Sequence, residues 1–279
     1  MPAIGFGTWQ LQDEAATDAV TAALEAGYRL IDASGNYGNL ASVGRALGGA
    51  DGAGGQGNHG VARDDIFLTT KIEFDEDPVT SLKAQLEQLG LERADLTLIH
   101  WPPPEGDGIE LWKLLIEARE QGLTTDIGVS NYDAKLIDEL VAGTGEVPAV
   151  NQIEWSPFGH GMDFRKYLRS QGVAIQAYSP LAQFKKLDHP VLREIGEAHG
   201  DADGSGSGRP GSGGRPKTPG QVVLRWDVQL GVVPLPRSGT PAHIAENFDV
   251  FDFELSDDEM ARVSGLNEEF SAIAGLNYL

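Results

Sequence analysis

The segment IFLTTKIEFDEDPVTSLKAQLEQLGLERADLTLIH, residues 66–100, holds two short β-rich runs, 66–70 and 96–99, on either side of a helical pattern at 78–89. Apolar residues recur three and four positions apart in the helical part, whereas each flanking run is a short block of apolar and β-branched side chains. Strand, helix and strand in succession imply a parallel pair. The same unit recurs outward in both directions. Strand-like runs stand at 3–6, 29–31, 66–70, 96–99, 125–129, 149–153, 174–177 and 231–235, with helical patterns at 14–26, 78–89, 109–121, 134–141 and 219–229 between them. Eight such units with no second type of segment favour closure into a (β/α)8 TIM barrel over an open sheet. A doubly wound open sheet would also need its Gly-x-Gly-x-x-Gly between the first strand and helix, and none is present.

A chain of 279 residues fits one such barrel, so a single domain spanning 1–279 is expected. Two stretches interrupt the pattern, GGADGAGGQGNHG at 48–60 and DADGSGSGRPGSGGRPK at 201–217, and both read as flexible glycine-rich insertions. SDDE opens a last helical segment at 256–267, with a cap and an acidic first turn. There is no cysteine, which excludes disulfides, thiolate catalysis and cysteine-ligated metals, and no metal site is expected. No apolar run is long enough to span a membrane, and the start MPAIGFGTWQ does not read as an export signal, so a cytoplasmic location is expected.

The formal charge of −21 comes from 42 acidic residues spread along the chain against 21 basic ones, 8 lysines and 13 arginines. Such a surface repels a phosphate backbone, which argues against a nucleic-acid partner. Dense carboxylates with few lysines are also what a halophilic protein working in concentrated salt carries, as screening relieves their repulsion.

The active site of a barrel lies at the carboxyl ends of its strands. Here those ends are polar. They read Asp32 with Tyr37 in the following loop, Lys71, His100, Ser130 with Asn131, Gln152 with Glu154, Tyr178 with Ser179, and Arg237 with Ser238. A lysine beside a tyrosine lowers the phenol pKa, an aspartate keeps that lysine protonated, and a neutral histidine can donate a hydrogen bond to a carbonyl oxygen. The set suits carbonyl reduction of a small molecule, with Tyr37 as general acid. No side chain delivers hydride, so a nicotinamide cofactor is implied.

The segments GFGTWQ (5–10), AGYRLIDASGNYGN (26–39), IFLTTKI (66–72), DLTLIHWP (95–102), IGVSNY (127–132), VNQIEWSP (150–157), AIQAYSPL (174–181) and LPRSGTPAHIAENFDVFDFELSDDE (235–259) resemble the aldo-keto reductase family in order and spacing. Within it the chain is similar to microbial diketogluconate-reductase-like and aldehyde-reductase members. The resemblance implies the same barrel, with Asp32, Tyr37, Lys71 and His100 as the catalytic tetrad. It further implies that Ser130, Asn131 and Gln152 bond the nicotinamide carboxamide and that Tyr178 stacks on the ring. Ser179 and Leu181 would begin the loop over the pyrophosphate, and Gly7, Thr8 and Trp9 would lie near the ribose, with Asp32 in the cofactor site as well. Trp9, His100 and Trp101 would line the substrate pocket. Arg237, Ser238, His243, Glu246 and Asn247 would hold the adenosine end.

Departures from the family pattern qualify this. His243 stands where the family often has an arginine, and a histidine carries no fixed charge. NADPH use is therefore expected with a reduced advantage over NADH. Lys185 and Lys186 read as a solvated pair. Few residues precede the first strand, so the family's amino-terminal hairpin is expected to be missing or truncated, and the short ending SAIAGLNYL suggests an open pocket. Two other functions remain at this point. One is a Schiff-base lyase or aldolase with Lys71 as nucleophile, and the other a cofactor-binding sensor without turnover.

Overall fold

The computed structural model describes residues 1–48, 60–106, 108–200, 215–273 and 278. Its first half alternates β1 (Phe6–Gly7), α1 (Asp13–Ala26), β2 (Leu30–Asp32), α2 (Leu40–Ala46), β3 (Phe67–Ile72), α3 (Pro78–Leu89), β4 (Ala94–Ile99) and α4 (Ile109–Glu120). The second half continues with β5 (Thr124–Ser130), α5 (Ala134–Thr144), β6 (Val150–Glu154), α6 (Met162–Ser170), β7 (Ala174–Tyr178), α7 (Pro190–Ala198), α8 (Pro219–Leu230), β8 (Val233–Pro234), α9 (Pro241–Phe248) and α10 (Asp257–Ser264). The strands lie in one sheet in the order β1 to β8, every neighbouring pair parallel. Closure follows from two backbone bonds, Gly5 N–H to Pro234 O at 2.9 Å and Gly7 N–H to Pro236 O at 3.0 Å, which join the first strand to the last. The sheet is thus a (β/α)8 barrel without a free edge.

β1 and β8 are each two residues long where 3–6 and 231–235 were expected, and β1 starts only at Phe6 and runs one residue past the expected end. Pro234 and Pro236 have no N–H to give, so the ladder to β7 is interrupted at both, while Leu235 between them donates to Ala177 O at 2.9 Å. Gly231 does not start the strand either. It ends α8 in the left-handed conformation, φ 73°, where glycine has no steric cost. The helices α2, α6, α7 and α9, each of seven to nine residues, escaped the reading of the sequence.

Because side chains alternate along a strand, Leu30 and Asp32, then Phe67, Thr69 and Lys71, then Val150, Gln152 and Glu154, point to one side. Bonds between strands that are not neighbours identify that side as the barrel interior: Gln152 Nε2 donates to Asp32 Oδ1 at 2.7 Å, and Gln176 Nε2 to Thr69 Oγ1 at 3.4 Å. The floor is apolar, formed by Leu30, Val233, Leu235, Leu96, Leu98 and Val150 around Phe67. Space there is short. A Cβ on Gly128 would lie 2.6 Å from Val150 O and 2.8 Å from Leu98 Cδ2. At the amino end, Gln176 Nε2 also donates to Met1 Sδ at 3.2 Å. The outward residues, among them Ile31, Leu68, Ile99 and Val129, form the larger core with Val20, Leu82, Leu115 and Leu140 of the surrounding helices.

The two glycine-rich insertions fall outside the described residues except at their ends, and one end needs correcting. Lys217 is not loose. Its ammonium is buried and bonds Asp252 Oδ2 at 2.7 Å and Asp249 Oδ2 at 3.1 Å, just ahead of the Thr218–Gln221 capping box that starts α8. Among the described residues no helix is long and apolar enough to cross a membrane.

One buried carboxyl is unpartnered. Asp227 of α8 is wholly buried, and neither of its oxygens finds a hydrogen-bond partner among the described residues, although the Trp155 indole lies beside it. Burial holds its carboxyl well above the usual carboxylate range. A group whose folded pKa is raised favours the fold below its unfolded pKa and opposes it as pH rises towards the folded value. Asp227→Asn removes this proton equilibrium. The variant's melting temperature relative to wild type should therefore climb from pH 4 to pH 8, by roughly 2–4 °C for each kcal/mol relieved in a chain of this size. A difference that stays constant over that range in thermal melts rejects the assignment.

Candidate active site

The carboxyl end of each strand delivers its last inward side chain to one mouth of the barrel. Lys71, the fifth residue of β3, is buried with its Nζ 2.8 Å from both Asp32 oxygens, 2.9 Å from Ala33 O and 3.1 Å from the Tyr37 hydroxyl. Tyr37 reaches it from the turn after β2. His100 follows β4 with its ring edge to face with Tyr37, centroids 6.0 Å apart. A cavity of about 310 Å³ opens over these groups, lined by Asp32, Tyr37 and His100 together with Gly7, Trp9, Trp101, Asn131, Gln152, Tyr178, Ser179, Leu181 and Arg237.

Burial opposes the Lys71 charge, but Asp32 and Tyr37 outweigh it, so the ammonium is held above its ordinary range. An aldolase lysine must lose that proton, and these surroundings keep it on. For Tyr37 the expected lowering is corrected. Burial pushes the hydroxyl up, Lys71 pulls it down, and Asp32 and Glu73 push it up again, leaving it above its ordinary value. Asp32 neutralises much of the ammonium that was expected to stabilise the phenolate. Tyr37 therefore keeps its proton at neutral pH.

Several residues expected at the cofactor have their donor hydrogens committed inside the protein. Asn131 Nδ2 donates to His100 O at 3.1 Å and Ser130 Oγ at 3.0 Å, and its Oδ1 accepts from Tyr178 Oη at 2.8 Å. Ser130 itself lies behind the cavity wall and donates to Gln152 O at 2.8 Å. Gln152 Nε2 serves Asp32 and Gln176. Thr8 is buried, and its hydroxyl donates to Asp32 O at 2.9 Å. On the rim, the exposed Arg237 donates to Gln10 Oε1 at 3.0 Å, and Ser238 Oγ accepts from Thr240 N–H. His243 is exposed on the first turn of α9, Glu246 accepts from the Thr218 hydroxyl, and Asn247 is buried.

The chain's end alters the expectation of an open pocket. Ser271 Oγ donates to Glu154 Oε2 at 2.7 Å, Ala272 N–H donates to Glu154 Oε1, and the Tyr278 hydroxyl donates to Glu154 O. The tail thus returns to the end of β6, and Ile273 joins the cavity wall. Lys185 and Lys186 are not merely solvated. Lys185 donates to Ala272 O at 3.3 Å, while Lys186 pairs with Glu268 and lies 4.9 Å over the Phe270 ring. Asn36, Gln183 and Phe184 also line the cavity without having been singled out, because loop side chains show no periodicity that would mark them. Glu73, whose Oε1 lies 2.6 Å from His100 Nδ1, is the other omission.

The family model described as the Aldo/keto reductase family matches residues 3–191 and 213–268. An aldo-keto reductase of Mycolicibacterium vanbaalenii is 41% identical over 273 residues, covering 96% of this chain and 89% of that protein. The crystal structure of an aldo/keto reductase from Brucella melitensis superposes with a TM-score of 0.82 at 35% identity, covering 95% of each chain. That of a Bombyx mori aldo-keto reductase in complex with NADP superposes with a TM-score of 0.85 at 30% identity, covering 98% of this chain and 92% of that one.

Proposed function

This chain belongs to the aldo/keto reductase family, and on that premise we propose that it reduces an aldehyde or ketone to the alcohol with NADPH, Tyr37 supplying the proton. The observation that carries the reading is the buried Lys71 ammonium, shared between the Asp32 carboxylate and the Tyr37 hydroxyl at the cavity. A bound nicotinamide cofactor supplies the hydride. As negative charge grows on the carbonyl oxygen, Tyr37 transfers its proton and Lys71 stabilises the phenolate left behind. His100 orients the same oxygen, and Trp9 and Trp101 wall the cavity that would take the substrate.

The residues present fit the cofactor as acceptors more than as donors. With their amide hydrogens spent, Gln152 Oε1 and the second lone pair of Asn131 Oδ1 are left to receive the carboxamide N–H groups. The Tyr178 ring, held by its hydroxyl bond to Asn131, offers a flat face for stacking. Arg237 spends one hydrogen bond on Gln10 and keeps its other donors for the 2′-phosphate. NADPH absorbance followed against a panel of aldehydes, ketoacids and sugar ketones tests the reading. Failure to consume NADPH with every member counts against it.

His243→Arg should tighten NADPH roughly fivefold and leave NADH almost unchanged, the worth of about 1 kcal/mol for a screened charge-assisted hydrogen bond. Fluorescence quenching titrations of both cofactors provide the comparison. Equal tightening of the two, or of neither, means that position 243 does not face the 2′-phosphate.

A further inference from the structure

His100 meets the cavity on one side and a carboxylate on the other. Lys71 points into the barrel, and Glu73, two residues on and just past the end of β3, brings its Oε1 to 2.6 Å from His100 Nδ1. Both side chains are largely shielded, 13% exposed for His100 and 22% for Glu73. A contact this short has a proton in it. With one proton in the pair, that proton sits on Nδ1 facing the carboxylate, and Nε2 carries a bare lone pair. The other neutral tautomer would set the Nδ1 lone pair against a carboxylate oxygen. A donor on Nε2 therefore needs a second proton in the pair, whichever of the two partners holds it. The expectation of a neutral histidine that donates to the carbonyl was formed without this neighbour.

We propose that Glu73 is a positioning residue that sets the proton count of His100, so that orienting a carbonyl for reduction requires the doubly protonated pair. This rests on the reductase reading above and adds a pH dependence to it. The second proton stays on Nε2 as a hydrogen-bond donor, and Tyr37 remains the group that transfers one. Among the described residues, the titratable and charged groups around His100 are few. Glu73 faces it from β3, and Tyr37 faces it from the turn after β2, with the Lys71–Asp32 pair behind. From β5, Asn131 donates to the His100 carbonyl, and Tyr178 of β7 reaches only as far as Asn131.

Two measurements test this. Imidazole 15N shifts, assigned to His100 by comparison with a His100→Gln sample, report the tautomer without cofactor or turnover. Above neutral pH the wild type should carry its proton on Nδ1, and Glu73→Gln, whose amide can donate to Nδ1, should carry it on Nε2. In kinetics, kcat/KM for aldehyde reduction by the wild type should fall with rising pH, approaching tenfold per unit. Glu73→Gln should flatten the reduction profile, gaining at least fivefold at pH 9 over wild type when each is scaled to its own value at pH 6. Glu73→Ala, which frees Nδ1 to water, should flatten it likewise. An Nε2–H tautomer in the wild type overturns the proposal, as do variant profiles parallel to wild type. Parallel profiles in an enzyme that Tyr37→Phe silences would reject the role of Glu73 and leave the reductase reading standing. A wild type that reduces no carbonyl would reject that reading, while the resonances would still report the tautomer.

Discussion

Tyr37→Phe is expected to lower carbonyl reduction by roughly 10²–10⁴-fold, the range that a positioned general acid contributes, while the affinity for NADPH changes less than about threefold. Among the described residues the phenol hydroxyl is hydrogen-bonded only to Lys71 Nζ, at 3.1 Å. Its loss leaves no orphan, because the ammonium keeps both Asp32 oxygens and Ala33 O as acceptors. The fold should therefore melt where wild type does, and the missing activity can be assigned to the missing proton. Steady-state rates, cofactor titration and a thermal melt on the same preparation provide the check. Full activity in the variant would remove Tyr37 from the mechanism.

Lys71→Met is expected to cost both activity and stability, and the two losses can be separated. Without the ammonium, the buried Asp32 carboxylate keeps the Gln152 amide but no countercharge. Breaking one side of a buried pair destabilises by about 3–5 kcal/mol, or roughly 10 °C in melting temperature for a chain of this size. Turnover should fall at least as far as in Tyr37→Phe, since nothing then opposes the upward push of burial, Asp32 and Glu73 on the phenol. Adding Asp32→Asn removes the stranded charge. The double variant should regain most of the lost melting temperature and none of the activity. If it stays as unstable as the single variant, the ion pair is not what Lys71 contributes to the fold.

How much of this could be read beforehand differs from element to element. The bounds of α3 agree at both ends, 78–89, because Pro78 opens the helix, Asp77 caps it with a bond to the Thr80 N–H, and Gly90 closes it in the left-handed conformation. β8 was read too long, because an apolar run does not show that its prolines cannot donate. Asp32, Lys71 and His100 each stood out as the polar residue ending an apolar run, which is a local property of the chain. Glu73 had no such mark. It is one of 42 acidic residues, just past a strand that the sequence suggests should end at Thr70.

The sequence by itself determined the alternation of strand and helix, the eightfold count, the polar strand ends and the family to which they belong, because these are patterns among residues close together in the chain. The tertiary structure alone decided which polar groups meet. Closure of the barrel brings Gln152 to Asp32, Glu73 to His100 and the carboxyl-terminal tail to Glu154, pairs that stand 120, 27 and 117 or more residues apart. Those meetings commit the donors of Asn131 and Gln152, raise the Tyr37 hydroxyl where a lone lysine would have lowered it, and assign the His100 proton to the side away from the cavity. Such outcomes depend on desolvation and on distances across the barrel interior, neither of which exists before the chain has folded.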